Sequence, residues 1–328
     1  MRAVQCYWLL LITVFSGSAF AENNTHNAME WLDRMISAQQ KLNYHGTFVY
    51  FHDGNLESMK VFHASGEAGE RERLIHLNGT AREVVRNNDI VTCIFPNDKL
   101  VVVDKRHGRR GFSPLLSTKN IAAFEQNYRL QLSEKTDRVA GQMARLIEVE
   151  PKDAFRYGYR LWVNDQGLLL RADLVDENKK LIEQIMFTEL TVVNDIPHDV
   201  LIPSIDLTGF VWYRQDQIVD MANNQSEAGW KVGVLPRGFA LKLYHQRKPE
   251  KAGENMLEHL VITDGLASIS VFIEPTPADA KQEIKTFQMG ALNVHTTFKG
   301  EYQVTVLGDV PSATVQKIAQ SVTRVSRK

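Results

Sequence analysis

The sequence is poor in cysteine and carries almost no net charge. Only Cys6 and Cys93 occur among 328 residues, and the formal net charge is −1. A near-neutral chain gives no electrostatic reason to expect a nucleic-acid partner. Cys6 precedes the apolar core of an amino-terminal leader, so the mature chain keeps one thiol and no intramolecular disulfide. Because Cys93 lies in the strand-like run Ile90–Phe95, we expect an inert, half-buried thiol rather than an intermolecular disulfide partner.

Catalytic and metal-binding motifs are also missing from the sequence. There is no Gly-x-Ser-x-Gly elbow, no His-Glu-x-x-His or Cys-x-x-Cys pair, and no glycine-rich phosphate loop that ends in Lys-Ser or Lys-Thr. Four histidines lie on neighbouring strand candidates: His45, His52, His63 and His76. Spacing on separate strands is weak evidence for a metal site. The sequence therefore predicts a binding protein without cofactor or metal, rather than an enzyme.

Long apolar runs are absent apart from one near the amino terminus. Arg2 precedes the apolar run Tyr7–Phe15, and the small-residue triplet Ala19-Phe20-Ala21 follows it. A membrane-spanning helix needs roughly 20 apolar residues, so this run is too short for an anchor. The pattern is that of a secretory signal peptide over residues 1–21, cleaved after Ala21. The mature chain is expected to be exported and soluble.

The centre of the chain predicts a β-meander. Its three apolar-rich runs, Tyr157–Val163, Leu168–Val175 and Leu181–Leu190, are separated by short polar turns, the first of which ends in Gly167. The middle run alternates apolar residues with charged ones: Leu168, Leu170, Ala172 and Leu174 against Arg171 and Asp173. Such alternation is typical of an antiparallel strand with one covered and one solvated face. The covering element is a helix, a second domain or a lipid.

Strand candidates extend on the amino-terminal side of the meander. They fill residues 44–104, and two more lie around Arg138–Glu150, which makes about ten consecutive strands with the meander. A sheet of that size curls. Before it, Asn27-x-x-Glu30 predicts a helix start, with one apolar face formed by Ala28, Trp31, Leu32, Met35 and Ile36. We therefore predict an α+β fold whose large domain is a curved antiparallel half-barrel, covered on its concave side by helices.

A smaller unit is predicted to follow the large sheet. Prolines, glycines and a polar run punctuate residues 194–228, which indicates a domain boundary. From Trp230 onward, strand candidates alternate with two helix candidates, Ala278–Phe287 and a carboxy-terminal helix after Pro311. The predicted organisation is a large β domain over residues 22–205, a linker over 206–228 and a small α+β domain over 229–328.

Three segments of the sequence resemble one known family. They are Ala81–Ile90 with its Arg-Glu-Val-Val run, the meander from Leu161-Trp162-Val163-Asn164 through Arg171-Ala172-Asp173-Leu174, and Trp230 with Leu235-Pro236-Arg237-Gly238-Phe239. Each motif is short and structural, so the resemblance lies in their joint order and spacing. On these residues the mature chain resembles the MucB/RseB family over essentially its whole length.

The resemblance implies a periplasmic regulator of the sigma-E envelope-stress response. Members of this family bind the periplasmic part of a membrane-spanning anti-sigma factor and shield it from the site-1 protease. Their large domain resembles lipoprotein carriers of the LolA/LolB type, and the resemblance implies release by lipid or lipopolysaccharide-like amphiphiles. The sequence departs from some relatives in the basic loop Lys105–Arg110, so we transfer no ligand-binding residue to that loop.

Two sets of candidate residues follow from the resemblance. The candidates for partner binding are Arg82, Arg86, Trp230 and Phe239. Tryptophan and arginine are favoured interface anchors. The candidates for a lipid cavity are Phe48, Tyr50, Phe62, Trp162, Leu170 and Leu174. Plain core packing is the alternative for every cavity candidate and for Trp230.

Two other functions stay compatible with the sequence. One is a periplasmic carrier of lipids or lipoproteins, which would extract lipid without an anti-sigma partner. The other is an envelope hydrolase on an unusual scaffold, whose turnover would be abolished by one His or Asp substitution. The sequence leaves the natural ligand open, and a homo-oligomer is compatible with it.

Overall fold

Two β-sheets form most of the molecule. The computed structural model describes residues 17–67, 69–105, 124–215, 229–247, 257–277 and 281–325. In this part of the chain, a large sheet has twelve strands, a smaller sheet has six, and a two-stranded ribbon accompanies the smaller one. The large sheet is curved and does not close. The predicted class, a curved sheet with a smaller α+β domain, is confirmed.

The large sheet is almost entirely antiparallel. Its strands are β1 (Asn43–His52), β2 (Asn55–Gly66), β3 (Gly69–His76), β4 (Glu83–Asn87), β5 (Ile90–Phe95), β6 (Leu100–Lys105), β7 (Tyr128–Val139), β8 (Gln142–Pro151), β9 (Gly158–Asn164), β10 (Leu169–Val175), β11 (Leu181–Val193) and β12 (Val211–Gln215). Their spatial order is β12-β6-β5-β4-β3-β2-β1-β11-β10-β9-β8-β7. Strands β12 and β7 are therefore the two edges, and β12 pairs with β6 in parallel.

The predicted meander is present as β9, β10 and β11, which pair in sequence order. The two strands predicted around Arg138–Glu150 are also present, although the first of them begins at Tyr128. Val211–Gln215 falls in the segment predicted as a linker, yet it forms the edge strand β12. Parallel pairing lets these five residues return to the sheet after a long crossover from β11. The domain boundaries themselves stay a prediction.

One long helix, α1 (Gly17–Lys41), covers part of the large sheet. Its buried residues Ala28, Leu32 and Met35 pack in one cluster with residues of β7, β8 and β9, among them Leu130, Ile147 and Leu161. The apolar face predicted from Asn27 onward is therefore the packed face. We call this side of the sheet the helix face. Among the described residues no helix is long and apolar enough to cross a membrane.

The strand β10 differs from its predicted pattern in two ways. A β-bulge lies between Leu169 and Arg171, and it divides the four leucine and alanine residues expected on one face. Leu168 and Leu170 pack in the cluster of Trp162, whereas Ala172 and Leu174 pack under α1. An extra residue in one strand shifts the alternation, and period-two counting does not detect it.

The prediction of a solvated face at Arg171 and Asp173 is wrong for Asp173, which is 2% exposed. Its carboxylate accepts hydrogen bonds from Arg171 and from Gln184 on β11. Arg171 also lies over the Trp162 ring at 4.2 Å. Polar neighbours on adjacent strands thus satisfy the buried carboxylate.

The small domain packs a six-stranded sheet against a carboxy-terminal helix. Its elements are β13 (Trp230–Val232), β14 (Ala240–Arg247), β15 (Leu257–Thr263), β16 (Ser268–Pro275), β17 (Lys285–Met289), β18 (Leu292–Lys299), β19 (Tyr302–Gly308), α2 (Ser312–Ser321) and β20 (Val322–Arg324). The sheet order is β14-β15-β16-β19-β18-β17, and β13 pairs with β20. Fully buried Val315, Ile318 and Ala319 of α2 form the core with Val304 and Val306.

One predicted helix of the small domain is wrong in its described part. Lys285–Phe287, expected within a helix over Ala278–Phe287, belong to the edge strand β17 and pair with β18. Two upstream prolines favoured a helix start in the sequence. Thr286 and Phe287 are better suited to a strand, and the available edge of β18 decides the outcome. Residues 278–280 lie outside the described residues.

Replacing Leu161 with alanine should destabilise the large domain. Leu161 is 0% exposed beneath α1, so Leu161→Ala removes buried contacts and leaves a cavity, at a cost of about 2–5 kcal/mol. Urea unfolding of the mature protein measures the change. Leu56→Ala is the matched control, because Leu56 is 58% exposed and should change stability by about 0.5 kcal/mol or less. Equal effects of the two substitutions would contradict this packing.

Candidate functional site

Within the described residues, the edge of the large sheet next to β12 carries an apolar surface that no helix covers. Cross-strand register puts Phe95, Leu100 and Val211 in one row. The next row contains Val84, Cys93, Val102 and Tyr213. All seven lie on the helix face, because Val84 pairs with Leu74 and Leu74 pairs with Val61. We call these seven residues the edge surface.

The edge surface is more accessible than the opposite side of the same strands. On β12, Val211 and Tyr213 are 63% and 68% exposed, against 46% for Trp212 on the opposite side, and on β5 and β6 the opposite-side residues Ile94 and Val101 are 0% exposed. The other five residues of the edge surface are half-buried. Helix α1 contacts β7, β8 and β2 but does not extend to these strands. A contiguous apolar surface of this kind marks a site for a partner or an apolar ligand.

The predicted partner contacts are spread over both domains. Arg82 is exposed at the corner of the edge surface, with its guanidinium 5.5 Å from the centre of the Phe95 ring. Arg86 is buried and paired with Glu70 at 3.1 Å. Trp230 and Phe239 are 4% and 6% exposed, both within the small-domain core cluster. Of the four, only Arg82 presents its side chain to solvent here, and their role in binding stays a prediction.

The predicted lipid-cavity residues do not come together around one cavity. Phe48, Tyr50 and Leu174 lie on the helix face, whereas Phe62 and Trp162 lie on the opposite face of the sheet. Leu170 occupies the bulge; Phe48, Trp162 and Leu170 belong to one buried core cluster, and Tyr50 packs against it. A cleft of about 330 Å³ lies elsewhere on the large domain, between β8, β9 and β10, and none of the six lines it. Their role as a lipid site stays a prediction.

A buried ion pair joins the two domains at what we call the domain junction. Arg156 in the loop before β9 donates from Nη1 to Asp264 Oδ2 of the small domain at 2.5 Å, and both side chains are 0% exposed. Its Nη2 atom donates to the Arg237 carbonyl at 2.6 Å. Tyr128 Oη donates to the same Asp264 oxygen at 2.8 Å. One small-domain carboxylate therefore accepts two hydrogen bonds from the large domain.

Further hydrogen bonds, most of them between neutral groups, extend the domain junction on both sides of the ion pair. Asn293 Nδ2 donates to Tyr157 Oη at 3.0 Å, and Thr314 Oγ1 donates to the Phe155 carbonyl at 3.0 Å. Further along, the Ala291 amide donates to Glu183 at 2.7 Å. Leu266 and Ala291 of the small domain pack in the cluster beneath α1. The small domain thus covers a second part of the helix face.

Burial and charge together shift the titration of groups at the domain junction. Burial raises the pKa of the Tyr128 hydroxyl well above its usual value, and the neighbouring Asp264 carboxylate raises it further. Burial alone would lower the pKa of the Arg156 guanidinium, but Tyr128, Asp153 and Asp264 outweigh burial and raise it. Tyr128 therefore stays a hydrogen-bond donor and Arg156 stays charged at neutral pH.

Sequence reasoning placed partner binding on the small domain and on the linker-facing edge of the large domain, but it named none of the seven residues of the edge surface, and it missed the domain junction. The four consecutive apolar residues of Leu100–Val103 indicate a strand that is apolar on both faces. This pattern could have predicted an apolar surface at the edge of the sheet. Arg156 and Asp264 are 108 positions apart in the sequence, and Asp264 is followed by Gly265, a pair that by itself indicates only a turn. No local pattern signals that pair. Within the described ranges, no group of three or more His, Cys, Asp and Glu residues is placed to hold a metal ion.

An open curved sheet, a second sheet domain docked on it and an uncovered apolar edge define a two-domain protein with binding surfaces. Residues 27–205 match the MucB/RseB N-terminal domain and residues 224–323 match the MucB/RseB C-terminal domain. The chain belongs to the MucB/RseB family. The resemblance found in the sequence is thereby confirmed.

Similar proteins of this family are named as regulators of sigma factors. The chain is 30% identical to the sigma factor AlgU regulatory protein MucB of Pseudomonas aeruginosa, over 95% of this chain and 96% of that protein. It is 26% identical to the sigma-E factor regulatory protein RseB of Haemophilus influenzae, over 93% and 94% of the two chains. The Escherichia coli RseB protein is 24% identical, over 96% and 97%.

Solved structures of MucB are similar over nearly the whole chain. The crystal structure of MucB in complex with MucA(peri) has a TM-score of 0.72 at 27% identity, and covers 92% of this chain and 100% of that one. The complex structure of Pseudomonas aeruginosa MucA/MucB has a TM-score of 0.73 at 26% identity, with the same coverage of both chains. The crystal structure of MucB gives 0.61 at 27% identity, over 94% and 99% of the two chains.

Adding a methyl group at Gly238 should disturb the domain junction. Gly238 has a φ of +82°, and its added Cβ would lie 2.0 Å from Nδ2 of the buried Asn127 in the large domain. Gly238→Ala should therefore cost about 2–4 kcal/mol, from overpacking and left-handed strain together. Chemical denaturation of the mature protein measures the loss.

Gly300→Ala is the matched control for the substitution at Gly238. Gly300 has a φ of +63° with nothing within 4 Å of an added Cβ. Gly300→Ala should therefore cost only the about 1–2 kcal/mol of the left-handed backbone conformation. Shortening Asn127 to alanine in the Gly238→Ala protein should recover part of the loss. No difference between the two alanine variants would contradict the close contact between the domains.

Proposed function

We propose that this protein is an exported, periplasmic regulator that binds the periplasmic part of a membrane-spanning anti-sigma factor. The observation that carries the proposal is full-length membership of the MucB/RseB family, with both domains matched in order. Two similar structures are complexes of MucB with MucA, which supports a protein partner for this chain. Binding would shield the anti-sigma factor from the site-1 protease by covering its cleavable segment.

The edge surface is the contact we propose on the large domain. It is apolar and lies at the last strand before the segment that leads to the small domain. An extended segment of the partner would add to the β12 edge and place alternate apolar side chains over Val211 and Tyr213. Arg82 would contribute a charged group at the rim. The buried candidates Arg86, Trp230 and Phe239 would support the binding surfaces from within.

Release by an amphiphile is the regulatory half of the proposal. A lipid or lipopolysaccharide-like molecule shifts the regulator away from its partner only if it binds the partner-free state more tightly. The half-exposed apolar residues of the edge surface support such competition, because acyl chains and apolar side chains favour the same surface. The same observation supports the second candidate, a lipid or lipoprotein carrier.

Mature protein from Glu22 should bind a purified periplasmic fragment of the anti-sigma factor encoded by its own organism. Isothermal titration calorimetry measures the affinity, and site-1 protease digestion of the fragment measures its protection. We expect binding, protection, and loss of both when lipopolysaccharide is added. Stoichiometric lipid binding without any binding of the fragment would move the protein to the carrier class. Binding neither would overturn both functions.

Replacing Tyr213 with serine should weaken binding of the anti-sigma fragment. Tyr213 is 68% exposed on the edge surface, so Tyr213→Ser removes interface contact while the core of the sheet stays intact. We expect at least about fivefold weaker binding of the anti-sigma fragment. Met143→Ser is the control, since Met143 is 54% exposed on β8, away from the edge surface. Equal affinity of both variants would exclude the edge surface as the contact.

A further inference from the structure

We propose that Arg156 is a positioning residue, whose ion pair with Asp264 fixes the two domains in the arrangement that binds the partner. The inference rests on the proposed binding of an anti-sigma factor, and it adds the residue that controls that binding. Arg156 itself need not touch the partner. It would act through the relative position of the edge surface and the small domain.

The guanidinium of Arg156 contacts groups of both domains. Nε and Nη2 donate to the two carboxylate oxygens of Asp153 at 3.1 and 2.9 Å, on the large-domain side. Nη1 and Nη2 donate across the domain junction to Asp264 and to the Arg237 carbonyl. The Tyr128 and Phe239 rings, one from each domain, lie 5.3 and 4.7 Å from its central carbon. This planar fork fits one relative position of the two domains.

A buried ion pair suits positioning better than simple stabilisation. The cost of removing two charges from water offsets most of their attraction, so such a pair adds little net stability. Replacing Arg156, however, removes the cation that is paired with the buried Asp264 carboxylate, which is strongly unfavourable. Any arrangement that separates the domains must therefore hydrate both groups. The pair thus discriminates against other domain positions, which the neutral hydrogen bonds of Asn293 and Thr314 do only weakly.

The test compares Arg156→Met with wild-type mature protein in two measurements. Spin labels at Asn55→Cys and Lys242→Cys, both exposed positions, in a Cys93→Ala background report the distance between the domains by pulsed electron paramagnetic resonance. Calorimetry reports affinity for the anti-sigma fragment. We expect one narrow distance in the wild type, a broad distribution in Arg156→Met, and about tenfold weaker binding. Asp264→Asn, on the other side of the pair, should reproduce both changes.

Two further variants separate positioning from general loss of stability. Arg73→Met removes a buried arginine from the Arg73–Glu83 pair, 3.0 Å apart within the large domain, and should leave the distance distribution unchanged. Arg156→Lys keeps the charge without the planar fork, and should restore binding partly. If Arg156→Met does not fold, Arg156→Lys and Asp264→Asn carry the comparison.

Each remaining outcome decides the proposal. An unchanged distance distribution in Arg156→Met and Asp264→Asn would overturn the positioning role, and so would a broad distribution with wild-type affinity. If wild-type protein does not bind the fragment at all, the proposed function fails. The distance measurement then still decides whether Arg156 fixes the domains.

Discussion

The reach of a single helix constrains the whole large domain. The expected cleavage after Ala21 leaves residues 22–41 of helix α1, a helix of about 30 Å. It contacts strands from β7 to β2, a stretch of seven adjacent strands in the sheet order and a width of about 29 Å. The twelve-stranded sheet measures about 53 Å across. In the described part of the chain, α1 therefore leaves β3 to β6 and β12 without a helix over them.

The rest of the architecture follows from what that helix leaves open. The small domain docks on the helix face through Leu266, Ala291 and the Arg156–Asp264 pair. On the opposite side of the sheet, Ala64 of β2 packs with Ile196 and Leu201, which follow β11 in the chain. Among the described residues, the edge surface is what remains without a cover, and this is why an apolar surface lies beside β12. Its apolar area is a consequence of sheet width, and the proposed function makes use of it.

The sequence predicted the architecture much better than the candidate sites. Alternation and the turn at Gly167, whose φ is +89°, sufficed for the meander, because both are local signals. The bulge beside Leu170 and the buried Asp173 were missed, since both depend on the register with neighbouring strands. The Ala278–Phe287 helix failed for a related reason: proline signals are local, whereas the available edge of β18 is not.

The candidate site residues show most clearly that local sequence signals do not give the environment of a side chain. Aromatic residues such as Trp162 and Trp230 were chosen because of their type, but their environment decides whether they bind or pack. Both are buried in core clusters. Tyr213, in a segment interpreted as a linker, is exposed because its strand lies at the sheet edge. Whether a strand lies at the edge of a sheet depends on the strand order, and the strand order cannot be read from a single sequence.

Under the proposed function, regulation would follow from the separation of the two surfaces. The edge surface lies beside β12, whereas the domain junction extends from β7 to β11 in the other half of the sheet. A partner that contacts both the edge surface and the small domain would bind tightly only when the distance between these two surfaces is right. Any ligand that changes the domain junction then changes the partner's affinity without competing for its contacts. The coupling needs a discrete choice between two domain positions, and a buried ion pair that is either made or broken supplies one.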